Sequence, residues 1–412
     1  MKMYKKILDT RYTILVLGIL IMALFFYHAG ISFAQEKDKL FRELDVFAES
    51  LAVIEKKYVE DEPPQDLIYG AMKGLLSTLD SYSQFLTPDD FKNLIVETEG
   101  KFGGLGIEIT IRDSMLTIIS PIEDTPAWKA GIEPGDIIVK IDGELTKDIT
   151  LNEAVKKLRG QPQTEVTLTV FREKDRIVKD IKIMRGIIKI QDIKRALFLE
   201  ENIGYVKIGE FRETTSKDLG KALEGLEKQG LKALIVDVRN NPGGLLISSI
   251  DISSRFLKDG DVVVSTKSRS EPERIYKSVS LGQKYIDIPI VVLVNKGSAS
   301  ASEILAAALR DNKRAILLGE TTFGKGSVQT IIPLSDGSAL RLTTSKYYTP
   351  AGVSIHDKGI IPDIIVNKEV VEEGQRDVFE EIIEEKKDFD YKKDYQIVRA
   401  LDLIKGLLVL EK

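Results

Sequence analysis

From about residue 186 to residue 350 short apolar runs alternate with amphipathic ones, and few architectures accept that order. Residues 203–208, 233–238, 262–266, 290–294 and 315–319 read as strands, while helical stretches open at Thr214-Thr215, Leu245 and Ser302. Strand then helix, repeated, predicts a layered α/β domain. At 412 residues the chain has room for two or three folded units in all.

The flanking stretches have other periods. In residues 36–96, Leu40, Leu44, Phe47, Leu51 and Ile54 recur every three or four positions, Pro63-Pro64 interrupts, and Leu67, Ala71, Leu75 and Leu79 follow. That spacing predicts two amphipathic helices. Between 103 and 185 the runs 106–111, 116–120, 137–141 and 166–171 are separated by Gly, Pro and Asp, with one helix burying Leu151, Ala154, Val155 and Leu158. Residues 367–412 are charge-rich and close in a helix with Ile397, Leu401, Ile404 and Leu408 on one side. The expected organisation is an export element at 1–34, a helical region at 35–97, a mostly-β module at 98–185, the α/β domain at 186–366 and a C-terminal helical region at 367–412.

The first segment places Lys2, Lys5, Lys6 and Arg11 ahead of an apolar run from Ile14 to Tyr27 and ends in Ser32-Phe33-Ala34. This is the layout of a secretory signal, and the 22 residues 13–34 are also long enough for an uncleaved membrane anchor. Either way the rest of the chain is expected outside the cytoplasmic membrane, periplasmic or otherwise extracytoplasmic. Without that segment 55 basic residues stand against 63 acidic ones, so nucleic acid is not an expected partner.

Side-chain chemistry is limited more sharply. No cysteine is present, and the two histidines are His28, inside the apolar run, and His356. Thiolate catalysis and Cys-ligated metals are excluded, and a hydrolase here must work without a histidine pair. His356 lies in a glycine-flanked loop and reads as a surface or hydrogen-bonded residue.

In the β module, Phe102-Gly103-Gly104-Leu105-Gly106-Ile107 puts three glycines before a strand, where backbone N–H groups can converge on a carboxylate. Ser120-Pro121-Ile122, the run 125–138 and Ile141-Asp142-Gly143 complete a pattern that resembles a PDZ domain in the permuted order of bacterial PDZ-containing proteases. The resemblance implies peptide binding by Gly103, Gly104, Leu105, Gly106 and Ile107, with the ligand added as a strand beside 107–111. It also implies that Arg159 helps sense the bound peptide.

Three strings in the α/β domain could carry chemistry. Val294-Asn295-Lys296-Gly297-Ser298-Ala299-Ser300-Ala301-Ser302-Glu303 runs from a strand into a helix, a turn that can expose a hydroxyl. Ser300-x-x-Glu303 equally fits a capping box, so this string alone does not decide. Gly319 to Lys325 nearly matches a phosphate-binding loop, but Gly326 replaces the Mg²⁺-binding hydroxyl and 328–333 reads as a strand, which disfavours a nucleotide. Lys325 can instead serve as a buried amine able to take a proton from serine without imidazole. Asp237-Val238-Arg239-Asn240-Asn241-Pro242-Gly243-Gly244 is a further strand and turn, whose glycines can aim an N–H at an oxyanion alongside that of Ala301.

Together with Gly352-Val353-Ser354-Ile355-His356-Asp357-Lys358-Gly359-Ile360-Ile361-Pro362-Asp363, these strings resemble the carboxy-terminal processing peptidases, or tail-specific proteases, over about residues 40–366. The family implies a crotonase- and Clp-protease-like ββα core with an inserted PDZ domain. It implies Ser300 as nucleophile, Lys325 as general base, Gln329 as the residue that holds the lysine, and oxyanion donors from Ala301 with Gly243 or Gly244. No metal, nucleotide or other cofactor is implied. Expected partners are proteins with unstructured C-terminal tails, a second copy of the chain forming a dimer and, through residues 13–34, the membrane. The competing expectations are a catalytically silent PDZ adaptor and a nucleotide-dependent protein.

Overall fold

The computed structural model describes residues 41–112, 114–122, 124–200, 202–367 and 389–410. The proposed export element therefore lies outside the described residues. Among the described residues no helix is long and apolar enough to cross a membrane. The chain divides at Asp80 into two units. The first carries helix α1 at 41–57 and helix α2 at Pro64–Ser77, which starts where Pro64 occupies the first turn and lacks the N–H that would go unpaired there.

The second unit begins with strand β1, Gln84–Leu86, and helix α3, Pro88–Glu99. The helical reading of 36–96 did not anticipate β1, because three residues are too few to show a period of two. Thr87 and Asp90 form a capping box at the start of α3, and Gly100 ends it in the left-handed conformation, φ 67°. Strand β2, Lys101–Gly104, leads into the β module.

That module comprises β3 (Ile107–Arg112), β4 (Met115–Pro121), α4 (Pro126–Lys129), β5 (Ile137–Ile141), β6 (Glu144–Leu145), α5 (Leu151–Leu158), β7 (Glu165–Arg172) and β8 (Ile177–Met184). The sheet order is β3-β4-β5-β7-β8, leaving β3 at an open edge. On β7, Val166, Leu168 and Val170 alternate inward and are fully buried, as a half-covered strand requires. From α5 they meet Ala154 and Leu158. Leu151, expected on that buried face, is instead 41% exposed, because it opens the first turn of α5 at the rim of the module. The chain leaves through β9, Gly186–Lys189, which pairs antiparallel with β2 as a two-stranded ribbon.

The α/β core contains β10 (Ile193–Glu200), β11 (Ile203–Ile208), α6 (Thr215–Glu227), β12 (Ala233–Asp237), α7 (Leu246–Ser254), β13 (Val262–Ser268), β14 (Arg274–Lys277), β15 (Ile290–Val294), α8 (Ala301–Asp311), β16 (Ile316–Gly319), β17 (Ser327–Pro333), β18 (Ala339–Tyr348), β19 (Ile364–Ile365) and α9 (Tyr395–Leu410). Six strands form the central sheet, ordered β10-β11-β12-β15-β16-β19 and parallel from β11 onward. Its middle strands are buried on both faces. Leu234, Val236, Val292 and Val294 join a core with α6, α7 and α8, while Ile235, Val291 and Leu293 pack with Ile397, Ala400, Leu401 and Ile404 of α9. A second, antiparallel sheet runs β1-β18-β13-β14, with β17 also paired to β18.

One buried polar cluster ties α9 to the sheet. Asp237 is fully buried, accepts from the Tyr205 hydroxyl at 2.7 Å and pairs with Arg239 at 2.6 Å. The same guanidinium reaches Asp394 at 2.8 Å and Gln396 at 2.8 Å, at the start of α9. Burial opposes charge on Arg239, but the two carboxylates outweigh it and raise its pKa. Arg239→Ala would strand the Asp237 charge in the core and is expected to remove about 3 kcal/mol of stability, read as a lower urea midpoint with an unchanged slope.

Candidate active site

The carboxyl ends of β12, β15 and β16 lie side by side, and the turn after each belongs to one of the three strings singled out in the sequence. Open parallel sheets gather functional groups at this edge, where each strand hands over to a loop or helix. Cross-turn hydrogen bonds hold the three together. Asn295 accepts from the Asn240 N–H at 2.9 Å and donates to its side chain at 2.8 Å. The Ala299 N–H donates to the Asn241 carbonyl at 3.0 Å, and the Phe323 N–H to the Ser298 carbonyl at 3.0 Å.

Of the three neighbouring serines, two are committed to this scaffold. Ser298 and Ser302 are fully buried and donate to the carbonyls of Val238, at 2.7 Å, and Asn241, at 2.9 Å. Ser300, 9% exposed, sits immediately before α8 with φ 53° and ψ −112°. Non-glycine residues rarely adopt that conformation, which costs ~1–3 kcal/mol and persists only when the surroundings enforce it.

Glu303 supplies the enforcement. Its carboxylate is fully buried and accepts the Ser300 N–H at 2.8 Å, the Thr322 hydroxyl at 2.5 Å, the Gly324 N–H at 2.7 Å and the Lys325 N–H at 2.9 Å. Burial raises its pKa, and these donors pull the other way. The capping relation expected of Ser300-x-x-Glu303 thus exists from the glutamate side, but the same carboxylate also holds the lysine loop. Sequence reading missed this second task, because the 19 to 22 residues between Glu303 and its loop partners show no pattern.

Lys325 is half-buried in a loop rather than a phosphate cradle, since the chain continues into strand β17 and not into a helix. Burial is the main cause of its lowered pKa; Arg341 adds to the shift and Glu303 opposes it. Its Nζ lies 5.1 Å from the centre of the Tyr82 ring. Ser300 and Lys325 are joined through Glu303, while among the described residues no hydrogen bond links Ser300 Oγ to Lys325 Nζ.

Gln329 is not bonded to Lys325 among the described residues: its amide donates to Ser327, at 2.9 Å, and to Thr343, at 3.4 Å. A register shift between Val328 and Gln329 bends β17 just there. His356 is also half-buried, with Nδ1 unpartnered among the described residues and Nε2 3.5 Å from Asp357.

Gly243 packs on the serine turn so closely that an added Cβ would lie 2.8 Å from Ser300 Cβ and 2.9 Å from Ala301 N. Its N–H donates to the Asn241 side chain at 2.9 Å. Gly244 lies against the Phe211 backbone instead. The N–H of Ala301 has no partner among the described residues.

In the β module, the carbonyls of Gly103, Leu105 and Gly106 accept from the N–H groups of Gly160, at 3.1 Å, Ala127, at 2.9 Å, and Ile122, at 2.8 Å. Across trans peptides this turns the N–H groups of Gly106 and Ile107 to the opposite side, while that of Gly104 is turned toward β9, where Gly104 pairs with Gly186. The Arg159 guanidinium stacks over the Phe102 ring, 4.6 Å from its centre.

Comparison with known proteins places these features in a lineage. Residues 202–366 match the description Peptidase family S41, and residues 117–172 match the PDZ domain. The chain is 41% identical over 361 residues to a carboxy-terminal-processing protease of Bartonella bacilliformis, covering 87% of this chain and 82% of that one. It is 37% identical over 344 residues to a carboxyl-terminal-processing protease of Synechocystis, covering 82% and 77%. A structure described as an S41 protease from Bacteroides fragilis shares the fold at 16% identity, with a TM-score of 0.51 over 87% of this chain and 97% of that one.

Replacing Glu303 leaves three N–H groups, two of them buried, and a buried hydroxyl without their acceptor. Glu303→Ala is expected to cost about 3 kcal/mol or more in urea unfolding, and Glu303→Gln, which keeps one acceptor oxygen, clearly less.

Proposed function

This chain belongs to peptidase family S41, alongside the carboxy-terminal-processing proteases, and on that footing we propose that it cuts proteins near an unstructured C-terminal tail using Ser300 and Lys325. It is a serine-type peptidase carrying a PDZ domain. The observation that most supports the dyad is Glu303, whose single carboxylate grips the backbone of both residues.

In the proposed reaction neutral Lys325 takes the proton from Ser300 Oγ as that oxygen attacks the scissile carbonyl. The carbonyl oxygen, now negative, is received by the Ala301 N–H and by that of Gly244, or of Gly243 once it leaves the Asn241 side chain. Collapse expels the amine, which leaves with the proton from the Lys325 ammonium, and water then repeats the sequence to free Ser300 from its ester. Burial serves this step directly, because a lysine held below its ordinary value of 10.5 is more often neutral at physiological pH. We assign Gln329 Oε1 the task of accepting from the ammonium once it forms. No step calls on a metal or a nucleotide. A silent adaptor would have no use for a strained serine and a desolvated lysine in one place.

Tail capture is assigned to the PDZ domain. The open edge of β3 can accept a peptide strand, and the outward N–H groups of Gly106 and Ile107 can receive its terminal carboxylate. Arg159, beside that loop, is assigned to sensing the ligand. For the remainder we propose export by residues 1–34, an extracytoplasmic location, retention at the membrane if that segment stays uncut, and dimerisation involving the 41–57 helix, where Phe41, Leu44 and Phe47 are exposed.

Ser300→Ala and Lys325→Ala should each lower kcat/KM on a disordered substrate by ~10³ or more while the thermal midpoint holds. In the wild type kcat/KM should rise with pH through the Lys325 pKa, since only the neutral amine is a base. Wild-type cleavage by either variant removes the dyad. Amidating the substrate's C-terminus should cost about tenfold in kcat/KM, and Arg159→Ala should shrink that difference; an equal preference in variant and wild type rejects the sensing role.

A further inference from the structure

Tyr82 lies about 120 residues ahead of the stretch that matches the peptidase family, which begins at residue 202, yet its ring meets the Lys325 ammonium. Its position is not that of a loose loop. Ser83 Oγ, next in the chain, accepts the Thr343 N–H at 3.2 Å. Gln84 then pairs with Arg341, and Phe85 and Leu86 are buried. Thr343 is also the register partner of Gln329. The segment 83–86 is thus laid along β18 residues 339–343, and the residue just before it brings its ring to Lys325.

A π face attracts an ammonium and has no comparable attraction for the neutral amine. The other groups around Lys325 are Glu303 on α8, which favours the charged form, and Arg341 on β18, which disfavours it. Behind the loop, the His356 backbone packs against Gly326, with the imidazole directed to Asp357. Among these groups Tyr82 is the one that contacts Nζ through a ring face.

We propose that Tyr82 is a positioning residue for Lys325: its ring holds the protonated amine apart from Ser300 and lets the neutral amine go. The proposal rests on the Ser300/Lys325 reading and adds to it that a segment preceding the PDZ domain sets when the base is available. Proton loss from Nζ removes the charge that the ring binds, and the freed side chain can then rotate to the serine hydroxyl.

The titration of Lys325 tests this without relying on turnover. In the full-length Ser300→Ala protein, the pH dependence of Lys325 acylation by acetic anhydride, read by mass spectrometry, reports the fraction of neutral amine. Tyr82→Phe should leave the midpoint within a few tenths of a unit. Tyr82→Leu should lower it by about half to one and a half units, because an apolar wall remains while the π attraction is lost. Phenylalanines carrying increasing numbers of fluorine atoms at position 82 keep the ring's shape, protect against a misfolded leucine variant, and should lower the midpoint stepwise. A midpoint indifferent to fluorination overturns the proposal. Turnover measured separately keeps the two readings distinct: activity surviving Lys325→Ala refutes the dyad, whereas the labelling midpoint decides the role of Tyr82.

Discussion

A fully buried carboxylate with four donors around it holds this site together. Each donor to Glu303 comes from backbone or hydroxyl, three of them from the lysine loop, at Thr322, Gly324 and Lys325, and one from the strained serine. Burying a carboxylate is costly unless its lone pairs are matched, so the serine turn and the lysine loop gain stability only when both are in place at once. The positive φ of Ser300 accompanies that requirement. It is the conformation in which the serine N–H reaches the carboxylate while α8 still begins at Ala301.

The central sheet makes this convergence possible. Parallel strands buried on both faces deliver their carboxyl ends to one edge, and the turns after β12, β15 and β16 cannot avoid one another there. α9 covers the face opposite α6, α7 and α8, and Arg239 pins its start to the strand that leads to the Gly243 turn. A chain segment at residues 389–410 is therefore a structural neighbour of the site, although none of its side chains enters it. The ribbon of β2 and β9 is the covalent connection by which the PDZ domain joins this core.

Much of this was legible beforehand. Alternating periods gave the α/β class, and the buried side of α9 is the one its apolar spacing predicts, through Ile397, Leu401 and Ile404. The middle serine is the one the family resemblance names, and the hydroxyls of its two neighbours are used in joining turns. Other features were hidden. Strand β1 is too short to have a period, Leu151 faces outward because it opens a helix turn, and Gln329 turns toward Thr343 at a bulge that no residue type announces.

Local pattern alone marked most of the strands, turns and helix starts of the α/β domain, and settled which chemistry was open to a chain without cysteine and with two histidines. Periodicity and side-chain type are properties of neighbouring residues, so they survive in a linear reading. The meeting of Glu303 with Lys325, of Tyr82 with the same lysine, and of Arg239 with Asp394 belongs to folding. Those pairs are far apart along the chain, and only the pairing of strands and the burial of charge bring them within reach.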